Sequence, residues 1–513
     1  MASSLLDKVH YLKAMNKPHI TSTNLKTLVN RVRKYDYSIE INTILLKIDA
    51  YANLDTDDYI DYFKDLQNEP FVRALYTKIF LPYLTEKFII FQNIKGQKTI
   101  SKSELNQLYN DFNNMSTVEQ KNDGTFISEL FFYIGNEQIP LQERDYQHRL
   151  FRFYKTFKFR NDIDDEVLAI LSMSMEKFTI LCWALYAYIH KIKKIKIVFN
   201  TDSFKKFVLN ADNDYSEENL ESFIKYISLP IEQFKNEYLK LRKIDFDENN
   251  NLLSYDEQSK IDKFLPKISF YYPFYIKDNN YYITSFTSIV QFLRLERVYN
   301  EISEQLIANN KTNLLGKSIE SYVKNEIENY KVSNSISGSV FGGKEYKPNR
   351  KLKFDEPDVI FETDEYMIII ECKTSAFHLI KSLHSFKREV SNRIENDLEK
   401  SIKNVDDRYL HYNPTQKKIY KFLMYFNASP IMLNSLKFEL FDNTDFILTD
   451  ISSIENLFRI SEKSLSTVID NFLDALSKHQ THSLYDFVRT NYKVNNKHIE
   501  DEFNKIAKDI LID

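Results

Sequence analysis

Two spacings of apolar residues divide the chain. Over residues 1–240 they recur three and four apart, as in DDYIDYFKDL (57–66), LFRFYKTFKF (150–159) and EKFTILCWALYAYIHKI (176–192), which predicts amphipathic helices. Asp162, Asp164, Asp165 and Glu166 precede VLAILSM, and Asp212, Asp214, Glu217 and Glu218 precede another apolar run; acids there suit first helical turns. A calcium loop at 212–218 lacks the glycine its turn needs. A charged, Asn-rich interval (243–263) reads as a connection, FYYPFYIK-DNN-YYITS as a β-hairpin, and SIVQFLRLERVYNEISEQL as helix. From about 311 the order becomes an amphipathic helix (LLGKSIESYVKNEIENY), a short strand (SNSISGSVFGG), a basic segment (KEYKPNRKLKF), and two strands flanking a turn. Helix is expected from roughly 375 to 427, strands at KFELF and DFILTDI, and mainly helix over 453–513. The expected class is multidomain α+β. The expected divisions are a helical region 1–242, a connecting region 243–310, an α/β core with a mixed central sheet at 311–452, and a helical extension 453–513.

The paired strands carry the chemistry. PDVIFE (357–362) and YMIIIECK (366–373) flank Thr363-Asp364-Glu365, and a turn centred between Asp364 and Glu365 sets Asp358 across from Glu371. Opposed Cβ atoms in an antiparallel pair lie roughly 4.5–5.5 Å apart. Two carboxylates that close repel unless a cation lies between them. Lys373 shares the face of Glu371 by the period of two, and Cys372 points to the other face. The plain alternative is a salt-bridged sheet edge, but charges on so apolar a strand cost several kcal/mol unless paired or bound to metal.

Composition narrows the classes. Length 513, 43% hydrophobic residues and 28% charged residues suit a chain of several domains. A net charge of −4 means that any nucleic-acid contact rests on local basic patches. Two cysteines, Cys182 and Cys372, give no disulfide framework, and the N-terminus lacks the apolar core of a signal peptide, so a cytoplasmic protein without a membrane span is expected. Of seven glycines, Gly316, Gly338, Gly342 and Gly343 fall just before the acidic hairpin, where backbone must turn or approach something closely.

Pro357-Asp358, then Glu371-Cys372-Lys373, resembles the pattern of the PD-(D/E)XK nuclease superfamily, and the resemblance covers roughly 311–452. It implies a restriction-endonuclease-like core. Asp358 and Glu371 would bind Mg²⁺, with Mn²⁺ as substitute, together with the backbone carbonyl of Cys372; Lys373 would act on the attacking water or the phosphate. Glu320, in Gly316-x-x-Ile319-Glu320, resembles the family glutamate that reaches the metal from the preceding helix. Gln416 and Tyr420, four apart and expected on one helix face, resemble the Gln-x-x-x-Tyr element of RecB-type members, although a long insertion separates them from Lys373.

The resulting expectation is a metal-dependent nuclease acting on DNA in preference to RNA. By analogy with standalone nucleases it fits bacterial defence against phage or foreign DNA, as a homo-oligomer or with a defence-system partner, its N-terminal region sensing, regulating or guiding substrate. Rival readings are an inactive nucleic-acid or protein binding module on the same fold and an RNase toxin. Lys344, Lys347, Arg350, Lys351 and Lys353 read equally as phosphate contacts or as a solvated strand edge. His378, His384 and His411 read as surface histidines, and His479 with His482 lacks the partners of a zinc site. No P-loop is present.

Overall fold

The computed structural model describes residues 25–35, 81–91, 101, 104, 107, 108, 111, 146–158, 163–191, 198–211, 214–243, 267–347, 353–376, 383–427, 445–462, 464–478, 483–499 and 501. The expected helix at 57–66, the KFELF strand, Lys351, His378, His479 and His482 lie outside them.

The described N-terminal residues are mostly helical, as the spacing predicts. Helix α1 spans Tyr146–Lys158, and further helices span Asp164–Leu171, Met175–Lys191, Thr201–Ala211 and Glu217–Tyr226. Asp164, Asp165 and Glu166 form one first turn. Ser216 caps another helix by accepting from the Asn219 amide, and Asn219 returns a bond to complete a capping box.

Four short strands, β1 (Val198–Phe199), β2 (Ser228–Pro230), β3 (Phe274–Lys277) and β4 (Asn280–Ile283), form a sheet in the order β1-β4-β3-β2. Lys277 pairs with Asn280, leaving a two-residue turn in which Asp278 (φ 49°) and Asn279 (φ 60°) both adopt the left-handed conformation that Asx residues tolerate. The hairpin thus joins strands drawn from within residues 1–242. The two outer strands, of two and three residues, are too short to carry a readable period.

Helices α2 (Glu296–Ala308) and α3 (Thr312–Asn334) lead into β5 (Ser339–Phe341), a small ribbon of β6 (Glu345–Tyr346) and β7 (Phe354–Asp355), and the strands β8 (Val359–Glu362) and β9 (Tyr366–Ala376). Helix α4 (Leu383–Asn404), a π-helical turn at Val405–Leu410, β10 (Lys418–Asn427), β11 (Phe446–Asp450) and helix α5 (Ile451–Phe458) follow. The five-stranded sheet runs β11-β10-β9-β8-β5, with the β5–β8 and β8–β9 pairs antiparallel and the β9–β10 and β10–β11 pairs parallel. Helices Leu465–Ser477 and Leu484–Asn491 follow α5. The architecture is mixed α/β.

One expectation fails here. Residues 418–427 are strand, not helix. KIYKFLMYF is apolar nearly throughout, and a short apolar run has no period that separates a buried strand from a buried helix. The partner strand decided it, because β9 offers an edge that β10 completes.

β9 is the central strand, which explains its continuous apolar run: both faces are covered. Ile368, Ile370 and Cys372 face a core shared with α2, α3, α5 and the N-terminal helices. Met367 and Ile369 face a second core made with Ile394 and Leu398 of α4 and with Val405 and Tyr409 of the π turn. The first core is continuous from Leu150 to Ile499. A buried ionic network crosses it. The Arg152 Nε of α1 donates to Glu455 Oε1 at 2.6 Å, and Tyr322 Oη donates to the same oxygen at 2.6 Å. Arg459 Nε donates to Glu326 Oε2 at 2.7 Å. Among the described residues no single helix is long and apolar enough to cross a membrane.

Candidate active site at the end of the central strands

β8 and β9 pair with Val359 opposite Ile370 and Glu362 opposite Met367, the register that sets Asp358 across from Glu371. Asp358 stands one residue before β8. Its Oδ2 accepts from the Cys372 amide at 2.7 Å, so the carboxylate caps the strand opposite. Glu371 is buried at 4% exposure and its alternation puts it on the α4 face. Its Oε2 accepts from Lys373 Nζ at 3.2 Å. The other oxygen, Oε1, accepts from Asn404 Nδ2 at 3.0 Å, a contact the sequence spacing did not reveal.

The glycines bring in the fourth residue. Gly342 and Gly343 both have positive φ, 112° and 68°. The Gly343 amide donates to the Pro357 carbonyl at 2.8 Å, folding this loop over the start of β8. A Cβ on Gly342 would lie 2.5 Å from the Pro357 carbonyl oxygen, and one on Gly343 would lie 2.7 Å from Glu320 Oε2 and 3.3 Å from the Asp358 carbonyl oxygen. Glu320 Oε2 of α3 therefore lies against Gly343, beside the Asp358 carbonyl. Lys324, one turn further along α3, donates to the Gly342 carbonyl at 2.9 Å.

The electrostatics record the crowding. Burial, then Glu371 and Glu320, push the Asp358 carboxyl up to about 8, against the pull of Lys373 and the Cys372 amide. Burial would lower Lys373, but Glu371 and Asp358 outweigh it and hold the ammonium above the usual lysine value. Burial pushes the Cys372 thiol well up, so it is a packing group rather than a nucleophile.

The donor set suits a hard cation such as Mg²⁺, being carboxylate oxygens without competing thiolate or imidazole. Among the described residues no three His, Cys, Asp or Glu side chains are gathered closely enough to hold a metal ion as they are placed. Asp358 and Glu371 are instead engaged within the protein, by Cys372, Lys373 and Asn404. The raised Asp358 value has burial as its first cause and the neighbouring acids as its second.

Gln416 and Tyr420 do not join this cluster. Gln416 lies exposed in the bend before β10. Tyr420 is on β10 opposite Ile368, three residues or about 10 Å along the strands from the Glu371 level. It packs on the opposite face, and its hydroxyl donates to the Ser466 carbonyl at 3.0 Å. Lys353 is exposed and paired with Glu345 across the β6–β7 ribbon, and Lys347 pairs with Glu345 on its own side of the ribbon at 2.6 Å, which fits a charged strand edge. His411 is exposed beside Tyr412.

Asn404 was missed because a lone Asn has no signature. Asp397 and Tyr425 were missed for the same reason: Tyr425 stands beside Lys373 in the β9–β10 register and donates to Asp397 Oδ2 at 3.3 Å. The π turn that follows Asn404 was the local feature to find, since such turns recur at functional sites, but nothing in the sequence announces one. Comparison with protein-family models, with curated proteins and with solved structures finds no match.

Proposed function

We propose that the protein is a metal-dependent nuclease, most directly a deoxyribonuclease, built on a restriction-endonuclease-like core. One observation carries the reading: three segments of the chain bring four charged residues together, with Lys373 Nζ 3.2 Å from Glu371 Oε2, Asp358 Oδ2 on the Cys372 amide between them at 2.7 Å, and Glu320 against Gly343 beside the Asp358 carbonyl. The order α3, β5, β8, β9, α4, β10, with an antiparallel meander followed by a parallel crossover, supports it.

Asp358 and Glu371 would hold Mg²⁺, or Mn²⁺ in its place, with Glu320 and the Cys372 carbonyl assisting. An ion held there would supply acidified water and positive charge for the scissile phosphate. Lys373, kept as an ammonium by its acid neighbours, donates to a phosphate oxygen or orients the attacking water rather than abstracting a proton. The hydrophobic floor of Ile369 and Leu423 fixes the strands that carry these groups. A place in bacterial defence is part of the same proposal, resting on analogy with standalone nucleases.

The engagement of Glu371 by both Lys373 and Asn404 favours one rival, a binding module that keeps the fold without the chemistry. Incubation with plasmid DNA and with structured RNA, under Mg²⁺, Mn²⁺ or chelator, separates the readings. The expected result is metal-dependent DNA cleavage lost in Asp358→Ala and Lys373→Ala. No cleavage of either substrate under any metal overturns the enzyme reading; cleavage of RNA alone moves it to a ribonuclease.

A further inference from the structure

We infer that Asn404 is a positioning residue for Glu371, fixing which carboxylate oxygen is presented to the cation and to Lys373; this rests on the nuclease reading. Glu371 is a buried side chain with three rotatable bonds, and such a ligand needs its rotamer set by a neighbour. Asn404 Nδ2 donates to Oε1 at 3.0 Å, which leaves Oε2 as the oxygen that faces Lys373 Nζ at 3.2 Å.

Asn404 is itself held on both sides. It is the last residue of α4, whose Ile394 and Leu398 are buried against the sheet. Asp397, Ser401 and Asn404 recur at helical spacing on one face, and Ser401 Oγ closes onto the Asp397 carbonyl at 2.8 Å. Immediately after Asn404 the backbone widens into the π turn, whose Val405 and Tyr409 are buried. Asp406 in that turn pairs with Lys421 of β10 at 2.8 Å, so the segment carrying Asn404 is pinned to the strand next to β9. An amide anchored this way can orient a carboxylate without being ordered at the moment of binding.

Mn²⁺ binding by calorimetry on the full chain, with no substrate present, tests this. Loss of such a supporting contact typically weakens metal affinity about 10- to 100-fold, the range expected for Asn404→Ala. Asn404→Gln, which keeps an amide donor, is expected to restore most of it, a pattern that a purely structural role does not give. Should Asn404→Ala fail to fold, Asn404→Leu, of similar size and lacking the donor, is read in its place. Wild-type Mn²⁺ affinity in a folded donor-less variant overturns the inference. Asp358→Ala run alongside keeps the two readings apart: if it too binds like wild type, the site reading fails, and if it alone loses binding, only the role of Asn404 fails.

Discussion

At the residue scale the weight falls on Asp358. Its ordinary carboxyl value is 3.8, and burial with two acid neighbours pushes it up to about 8. The folded state therefore binds this proton more tightly than the unfolded chain, and stability falls as pH rises through that window. Asp358→Asn removes the dependence while keeping an oxygen for the Cys372 amide. Its melting temperature in chelator is expected to match wild type near pH 4 and to exceed it increasingly up to pH 8. A constant difference across the range, read by calorimetry, would count against a shared acid cluster. Gln416 gives the opposite prediction. It is exposed in the bend before β10 and distant from Glu371, so Gln416→Ala is expected to leave the cleavage rate within a factor of about two in a plasmid assay, as suits a surface change away from the site.

At the element scale the hairpin and the glycine loop act together. Gly342 has φ 112°, and an added Cβ would meet the Pro357 carbonyl oxygen at 2.5 Å. Gly342→Ala is therefore expected to cost about 1–3 kcal/mol in denaturant unfolding and to lower cleavage by moving Asp358. The central strand sets a larger scale. Ile369 is fully buried between β8 and β10 under α4, and Ile369→Ala is expected to cost about 2–5 kcal/mol, measurable as a lower denaturant midpoint with unchanged slope. Much of this level was legible beforehand. The apolar run of YMIIIECK, the turn at Thr363–Glu365 and the pairing register follow from alternation and turn position. The misreading of 418–427 as helix, and with it the placing of Gln416 and Tyr420 beside the cluster, has a specific cause: KIYKFLMYF is apolar on every face, so its period carries no information.

At the scale of the whole molecule, the N-terminal helices and the strand sheet share one interior. Arg152 of α1 meets Glu455 of α5, Phe153 packs on Tyr299 and Phe426 with ring centres 6.1 and 5.9 Å apart, and the Tyr299 hydroxyl donates to the carbonyl of Thr374, next to Lys373. Arg152→Met leaves Glu455 with a weakened set of partners in the core. Removing one partner of such a buried pair typically costs about 3–5 kcal/mol, which urea unfolding would report. The pH sign is also fixed. Burial alone would raise Glu455, but Arg152 and Arg459 hold its carboxyl down to about 2 from 4.5. Its stabilisation is fully present above pH 4.5 and is lost as pH falls toward 2, so the difference between wild type and Arg152→Met should shrink through that window.

The sequence by itself determined what local periodicity and turn chemistry can carry: the helices described between residues 146 and 243, the β3–β4 and β8–β9 hairpins, the face shared by Asp358, Glu371 and Lys373, and the backbone freedom of the loop before them. Those properties are set by residues within a few positions of one another. Only the tertiary structure decided that Glu320 lies against Gly343, that Asn404 bonds to Glu371, that 418–427 joins the sheet, and that α1 is tied to α5 through Arg152 and Glu455. Each of these depends on which surfaces remain to be covered once the elements exist. That depends on buried area and paired polar groups contributed from distant parts of the chain, which no local spacing encodes.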